Sequence, residues 1–348
     1  MEQEQPAKNQ RQVNSGRRAK WWKRKGTSKR GFTYFTYDDR KIIDDASLEK
    51  IRSLVIPPAW RNVRISPSSG GKLQAVGIDT SARIQYIYHP KFAEAQQRKK
   101  FARIEKFGEF MPQLRRVTNE HISLDGFPLE KVLAIMIRLI NSLYIRMGTD
   151  KSVKHFRTYG ITTLTNRHVT INQKGKVVFE FVGKSRIKHK KVFVDPELAL
   201  LLKELTGFGR GRKLFQYSNG ENSIHPIRPH QINAYIKSVT APEFSAKDFR
   251  TWGASLLAAV ELAQIGVGKH EKETQKNIVN TIKKVATELG NTPSICRKSY
   301  IHPKVLKAYS LGLVLDSFTP RRLKRAKKIE SELEPEEISL MKLFEHFH

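Results

Sequence analysis

"GNTPSICRKSYIHP", residues 290–303, reads as a short helix with marked ends. Thr292 suits the N-cap and Pro293 the first helical position, where its missing N–H costs nothing. Pro303 disfavours helical geometry at His302, so the helix should finish within a residue or two of Tyr300. A tyrosine at such an end has room to swing its hydroxyl outward. An ordinary core tyrosine fits the same pattern, and the pattern alone leaves both readings open.

Working outward, the preceding segments "KDFRTWGASLLAAVELAQIG" and "NIVNTIKKVATELG" carry helical patterns. "PLEKVLAIMIRLINSLYIRMG" (128–148) is apolar nearly all round, which predicts a buried helix stopping at Gly148. Between these, "RHVTINQKGKVVFEFVGKSRIKHKKVFVD" alternates apolar and polar residues about polar turns, as β-hairpins do. Residues 31–108 carry short β runs such as "GFTYFTY", "KLQAVGID" and "RIQYIYH" separated by turn residues. The expectation is an α+β chain in four parts. Residues 1–30 form a basic flexible arm and 31–108 a β-rich N-terminal domain; 109–315 form a mainly helical domain with an inserted β-hairpin region, and 316–348 a charged tail. Trp21 and Trp22 in the arm could stack on bases or pack on a neighbouring domain. The charge runs "RRLKRAKK" (321–328) and "ESELEPEEIS" (330–339) read as solvated faces.

The 348 residues carry 64 Lys and Arg against 33 Asp and Glu, a formal net charge of +31. So large a surplus repels itself on a compact surface, and a polyanion relieves it. Nucleic acid is the favoured partner, because clustered cations gain affinity by releasing counterions condensed on phosphates. No apolar run is long enough to span a bilayer, and the polar start "MEQEQPAKNQ" lacks the apolar middle of a secretory signal. The single cysteine, Cys296, cannot form an internal disulfide. A reducing interior, cytoplasmic or nuclear, is expected.

No Walker A sequence, GxSxG turn, HExxH or Cys/His pairing occurs, so neither nucleotide-driven chemistry nor a built-in metal is indicated. Arginine, lysine and tyrosine remain. Together they can cut a phosphodiester: a tyrosine hydroxyl attacks phosphorus while arginines hold the charge that grows on the non-bridging oxygens. A phenol of ordinary pKa, about 10, needs cationic surroundings for this, which Arg297 and Lys298 could supply. A lysine is needed to protonate the departing sugar oxygen.

"IPPAW", "RIQYIYHP", "RLINSLYIRMG", "FVGKSRIKH", "KDFRTWG" and "GNTPSICRKSYIHP" occur in one order, and in that order the chain resembles type IB DNA topoisomerases of the small poxviral and bacterial branch. The resemblance runs from about residue 30 to 315. It implies that Arg146 and Arg250 bind the scissile phosphate, that Lys184 on a hairpin is the general acid, and that Tyr300 is the nucleophile, with Lys247 in support. Asn291 stands where many relatives have histidine; its amide can donate a hydrogen bond but cannot titrate. Gln85, Tyr86 and Tyr88 match a segment that contacts the major groove, although alternation would also allow the two tyrosines a core-packing role. The resemblance further implies a monomer closing as a clamp around double-stranded DNA, with no cofactor, no metal and no ATP. A tyrosine recombinase and a non-catalytic basic DNA-packaging protein are the alternatives.

Overall fold

The computed structural model describes residues 9–10, 12–209, 211–220, 223–317 and 332–347. The chain is α+β and divides into two compact units, residues 1–100 and 101–348.

In the first unit, strands β1 (Trp22–Thr27), β2 (Gly31–Phe35), β3 (Arg61–Ile65), β4 (Leu73–Ile78) and β5 (Ile84–Tyr88) form an antiparallel sheet in the order β2-β1-β3-β4-β5. Helix α1 (Asp45–Ser53) starts on an Asp44 cap that accepts from the Ser47 N–H. Ile51, Val63, Ile65 and Ala75 form the core of this unit. The flexible arm expected over residues 1–30 is corrected here, because Trp22–Thr27 pair with both β2 and β3. Trp22 packs on this core, with the Lys50 ammonium 5.2 Å from its ring centre.

The division falls between residues 100 and 101, not at 108, because helix α2 (Pro90–Glu109) crosses it. Phe101, Ile104 and Phe107 on its second half are buried, and Ile104 and Phe107 belong to the core of the larger unit. Helices α3 (Met111–Ile122) and α4 (Leu129–Leu143) follow. Helix α4 is the buried helix expected, and it buries even Arg138, which pairs with Glu197 at 2.8 Å and donates to Asn119 at 2.6 Å. It stops at Tyr144 rather than Gly148: Tyr144 takes a left-handed φ of 54° while its N–H bonds to Ile140. That turn frees residues 145–149 from helical geometry before α5 (Asp150–Phe156) begins.

Strands β6 (Val169–Ile171), β7 (Lys176–Val182) and β8 (Lys188–Val194) form the expected inserted sheet, in the order β6-β7-β8. After α6 (Pro196–Phe208) and the short pair β9 (Gln216–Ser218) and β10 (Ile224–Pro226) come α7 (Pro229–Val239), α8 (Ala246–Ile265), α9 (Glu271–Leu289), α10 (Pro293–Ser299) and α11 (Pro303–Ser310).

The last described helix, α12 (Pro335–His346), corrects the charged tail expected from 316 onward. Leu340 and Phe344, one turn apart, are buried in the main core, and Phe344 packs near the Trp252 and His302 rings. Glu336 and Glu337 are buried as well, and the Arg115 guanidinium meets Glu337 at 2.7 Å. Counting charges hid a helical stripe. Residues 318–331, including all of "RRLKRAKK", lie outside the described residues. Phe344→Ala should destabilise the larger unit by about 3–5 kcal/mol in a denaturant titration, because the cavity would lie between two packed rings. A change under about 1 kcal/mol would show that α12 is not part of the core.

Candidate active site

The C-terminus of α9 organises the site. The last carbonyls of a helix have no partner within it and carry partial negative charge. Here they collect two arginines from distant parts of the chain. Arg146, on the stretch freed by the Tyr144 turn, donates to the Leu289 carbonyl at 3.2 Å, the Gly290 carbonyl at 3.5 Å and the Asn291 side-chain oxygen. Arg250, in the second turn of α8, donates to the Leu289 carbonyl at 2.8 Å and to the Tyr144 carbonyl. Both guanidiniums therefore share one acceptor and are fixed side by side.

Like charges this close need a reason to stay charged. Burial, then the Arg146 charge, lowers the Arg250 pKa to about 10, and the Tyr300 phenol hydrogen-bonded to it acts in the opposite sense. Arg146 is lowered by burial too, with Tyr300 again opposing. A guanidinium is so strong a base that it keeps its charge in such surroundings. Among the described residues, the buried Nε of Arg250 and the buried Nδ2 of Asn291 have no hydrogen-bond partner, so two N–H donors in this cluster are uncommitted. An anion with several oxygens is the ligand such a set fits.

Tyr300 stands where α10 ends. Thr292 caps that helix by accepting from Ile295, Pro293 is its first residue, and Tyr300 closes it with an N–H to the Cys296 carbonyl at 2.9 Å. Asn291 lies before the cap, outside the helix. The Tyr300 ring sits 5.2 Å from the Arg250 guanidinium carbon. Arg250 thus faces it and Arg146 acts on it electrostatically, while the exposed Arg297 and Lys298 line an open cleft with Ser294 and Lys307. Cys296, buried on the same helix, has its thiol pushed up to about 11 by desolvation and is a neutral core group.

Lys184 lies at the tip of the β7–β8 hairpin, in a turn where Ser185 and Arg186 both take left-handed φ values. Its exposed side chain lines the same small pocket as Arg146 and Arg250. That hairpin is tied to α9 midway along β8, since the Lys191 ammonium meets the Glu288 carboxylate at 2.8 Å and its backbone carbonyl as well. Lys247, in the first turn of α8, is exposed and does not line this pocket.

Residues 89–314 match the family model for the eukaryotic DNA topoisomerase I catalytic core, and residues 31–79 match that for the bacterial DNA topoisomerase IB N-terminal domain. The chain belongs to the type IB DNA topoisomerase family. It is 29% identical over 289 residues to DNA topoisomerase 1B of Acanthamoeba polyphaga mimivirus, covering 80% of this chain and 84% of that one. To DNA topoisomerase 1B of vaccinia virus it is 26% identical over 238 residues, covering 68% and 72%. Against DNA topoisomerase 1 of Schizosaccharomyces pombe the match is 28% over 168 residues, 48% of this chain and 20% of the yeast protein. Helix α12 lies beyond the residues that either family model matches.

In the first unit, Tyr86 and Tyr88 of β5 are exposed, at 40% and 45%, which excludes the core-packing role for them. Their rings stack 6.1 Å apart on the outer strand of the sheet, and Tyr88 continues to Phe92 at 5.4 Å. The Gln85 amide donates to Asp79 at 2.9 Å.

Sequence reasoning missed His189. It alternates inward on β8 and lines the pocket shared by Arg146, Lys184 and Arg250. The strand period could have placed it on the inner face, but nothing local could show what that face meets.

Proposed function

We propose that this type IB topoisomerase relaxes supercoiled duplex DNA through Tyr300, which attacks a backbone phosphorus and forms a 3′-phosphotyrosyl ester. The phenolic proton passes to solvent as the new O–P bond forms. The bond from phosphorus to the 5′ oxygen breaks, and that oxygen takes a proton from the Lys184 ammonium. Arg146, Arg250 and Asn291 bind the non-bridging oxygens, whose charge rises as phosphorus becomes five-coordinate, so their donation is stronger in the transition state than before it. Rotation of the free 5′ end about the intact strand releases torsion. The 5′ hydroxyl then returns its proton to Lys184 and expels the tyrosine. The ester conserves the bond energy, so neither ATP nor a metal is called for.

The observation that carries this reading is the anchoring of two arginines, more than a hundred residues apart in sequence, on one helix terminus, with Arg250 beside Tyr300. Lys247 would support the site only at longer range, from the first turn of α8. The fold that goes with this reading is that of the tyrosine recombinase and type IB topoisomerase catalytic domains, with the two units closing on the duplex as a monomeric clamp. The exposed Tyr86 and Tyr88 are suited to contacts with bases or sugars, and Gln85 beside them to a base edge. A location with the chromosomal DNA in the cytoplasm follows if the source is bacterial.

The test is relaxation of negatively supercoiled plasmid by the purified chain in EDTA without ATP. A ladder of relaxed circles is expected. Recombinant products instead would make it a recombinase, and binding without relaxation a packaging protein. Lys184→Ala should slow cleavage of an ordinary phosphodiester by about 10²–10⁴-fold. It should be restored nearly to the wild-type rate when sulfur replaces the leaving 5′ oxygen, because a thiolate leaves without a proton. An equal defect on both substrates would remove Lys184 from the acid role.

A further inference from the structure

We propose that His189 is a further catalytic residue of this topoisomerase, an imidazole N–H donor to a non-bridging oxygen of the phosphate held by Arg146 and Arg250. The inference rests on the reading of Tyr300 and the two arginines given above.

Three observations lead to it. First, His189 is set into the centre rather than beside it. A β-carbon on Gly183, the residue before Lys184, would lie 2.6 Å from its ring, and one on Gly290, the residue before Asn291, closer still. Glycine at both positions thus lets an imidazole lie between the backbone that carries Lys184 and the backbone that carries Asn291. Gly290 is doubly suited, since it closes α9 with a φ of 61°. Phe181 covers one side of the ring at 5.1 Å and 24°.

Second, the half-buried ring has no hydrogen-bond partner among the described residues at either nitrogen, although it lines the pocket with Arg146, Lys184 and Arg250. A ring with both nitrogens uncommitted keeps an N–H to offer to a ligand that enters this pocket. Lys191, two residues on along the same face, has its partner in Glu288.

Third, burial and the charges around the ring hold it neutral. Desolvation, then Lys191 on its own strand, Arg146 beyond α4 and Arg250 on α8, lower its pKa to about 4, and only Glu288 on α9 opposes them. A neutral imidazole can lie between these cations without adding to their repulsion, while its N–H still points partial positive charge at a phosphate. As negative charge grows on phosphorus oxygens in the transition state, that donor gains strength at no cost in reorganisation.

A purely mechanical role, in which His189 only seats the hairpin, makes a different prediction. Seating the hairpin matters through Lys184, so replacing the leaving 5′ oxygen by sulfur would cancel the defect. Donation to a non-bridging oxygen is required with either leaving group. The experiment is single-turnover cleavage of a duplex cut at a position first mapped with the wild-type enzyme, made with oxygen or sulfur at the leaving 5′ position. His189→Ala should be slower by about 10²–10³-fold on both substrates. His189→Gln, which keeps a side-chain N–H donor and much of the volume, should be faster than the alanine variant on both. Wild-type cleavage by His189→Ala, its full restoration by sulfur, or a glutamine variant no faster than alanine would each overturn the proposal. Tyr300→Phe run alongside separates the two levels. If it cleaves, the reading of the site itself fails; if it is silent while His189→Ala is unimpaired, only this inference fails.

Discussion

Tyr300→Phe should bind duplex DNA like the parent protein yet lose at least about 10⁴-fold in strand cleavage, leaving plasmid supercoiled and no covalent adduct after denaturation. The substitution removes one oxygen from a half-buried ring that packs on the core and against Arg250, so the fold and the two guanidiniums should remain in place. Binding should survive because it draws mainly on cations spread over the whole surface of a chain with a net charge of +31. Trapping the adduct on nicked DNA and identifying the modified tyrosine by mass spectrometry is the direct check. Relaxation by the phenylalanine variant, or an adduct on another tyrosine, would end the assignment.

Arg250→Ala should have nearly as large an effect on cleavage, on the order of 10²–10⁴-fold, for two separable reasons. It removes a charged fork from the phosphate, and it leaves the Tyr144 and Leu289 carbonyls without that donor. The second loss should appear as a stability cost on the order of 1–3 kcal/mol in thermal or denaturant unfolding. Arg250→Lys should recover little of the cleavage rate. One ammonium is a single point of charge and cannot reach both carbonyls while also presenting a planar edge to a phosphate. A lysine variant within tenfold of wild type would show that charge alone, and not the fork, is what the site uses.

Much of the site was legible because local signals bound each part of it. The Thr-Pro start and the proline three residues after Tyr300 defined α10 and left the tyrosine at its end. Strict alternation about polar turns defined β7 and β8 and put Lys184 at their tip. Less could be read where a local signal pointed one way and packing another. The apolar run through residue 145 suggested a helix as far as Gly148, but the left-handed turn at Tyr144 ends it early and delivers Arg146 to α9. Arg297 and Lys298 were near Tyr300 in sequence, yet Arg250, which faces its ring, comes from α8 and Arg146, which acts on it electrostatically, from the stretch after α4. The charge of residues 330–339 masked a helix whose Glu337 is buried against Arg115.

The sequence by itself determined the alternation of β and helical segments, the ends of the helix that bears the tyrosine, the residue types able to act on a phosphodiester, and the basic surplus that favours a polyanion. Each of these depends on neighbours within a few positions or on composition. Only the tertiary structure decided that the C-terminal carbonyls of α9 hold Arg146 and Arg250 together, that His189 lies between Gly183 and Gly290, and that α12 closes over Trp252 and His302. Those arrangements join residues far apart along the chain, and they follow from which buried donor finds which unpaired acceptor once the core has packed.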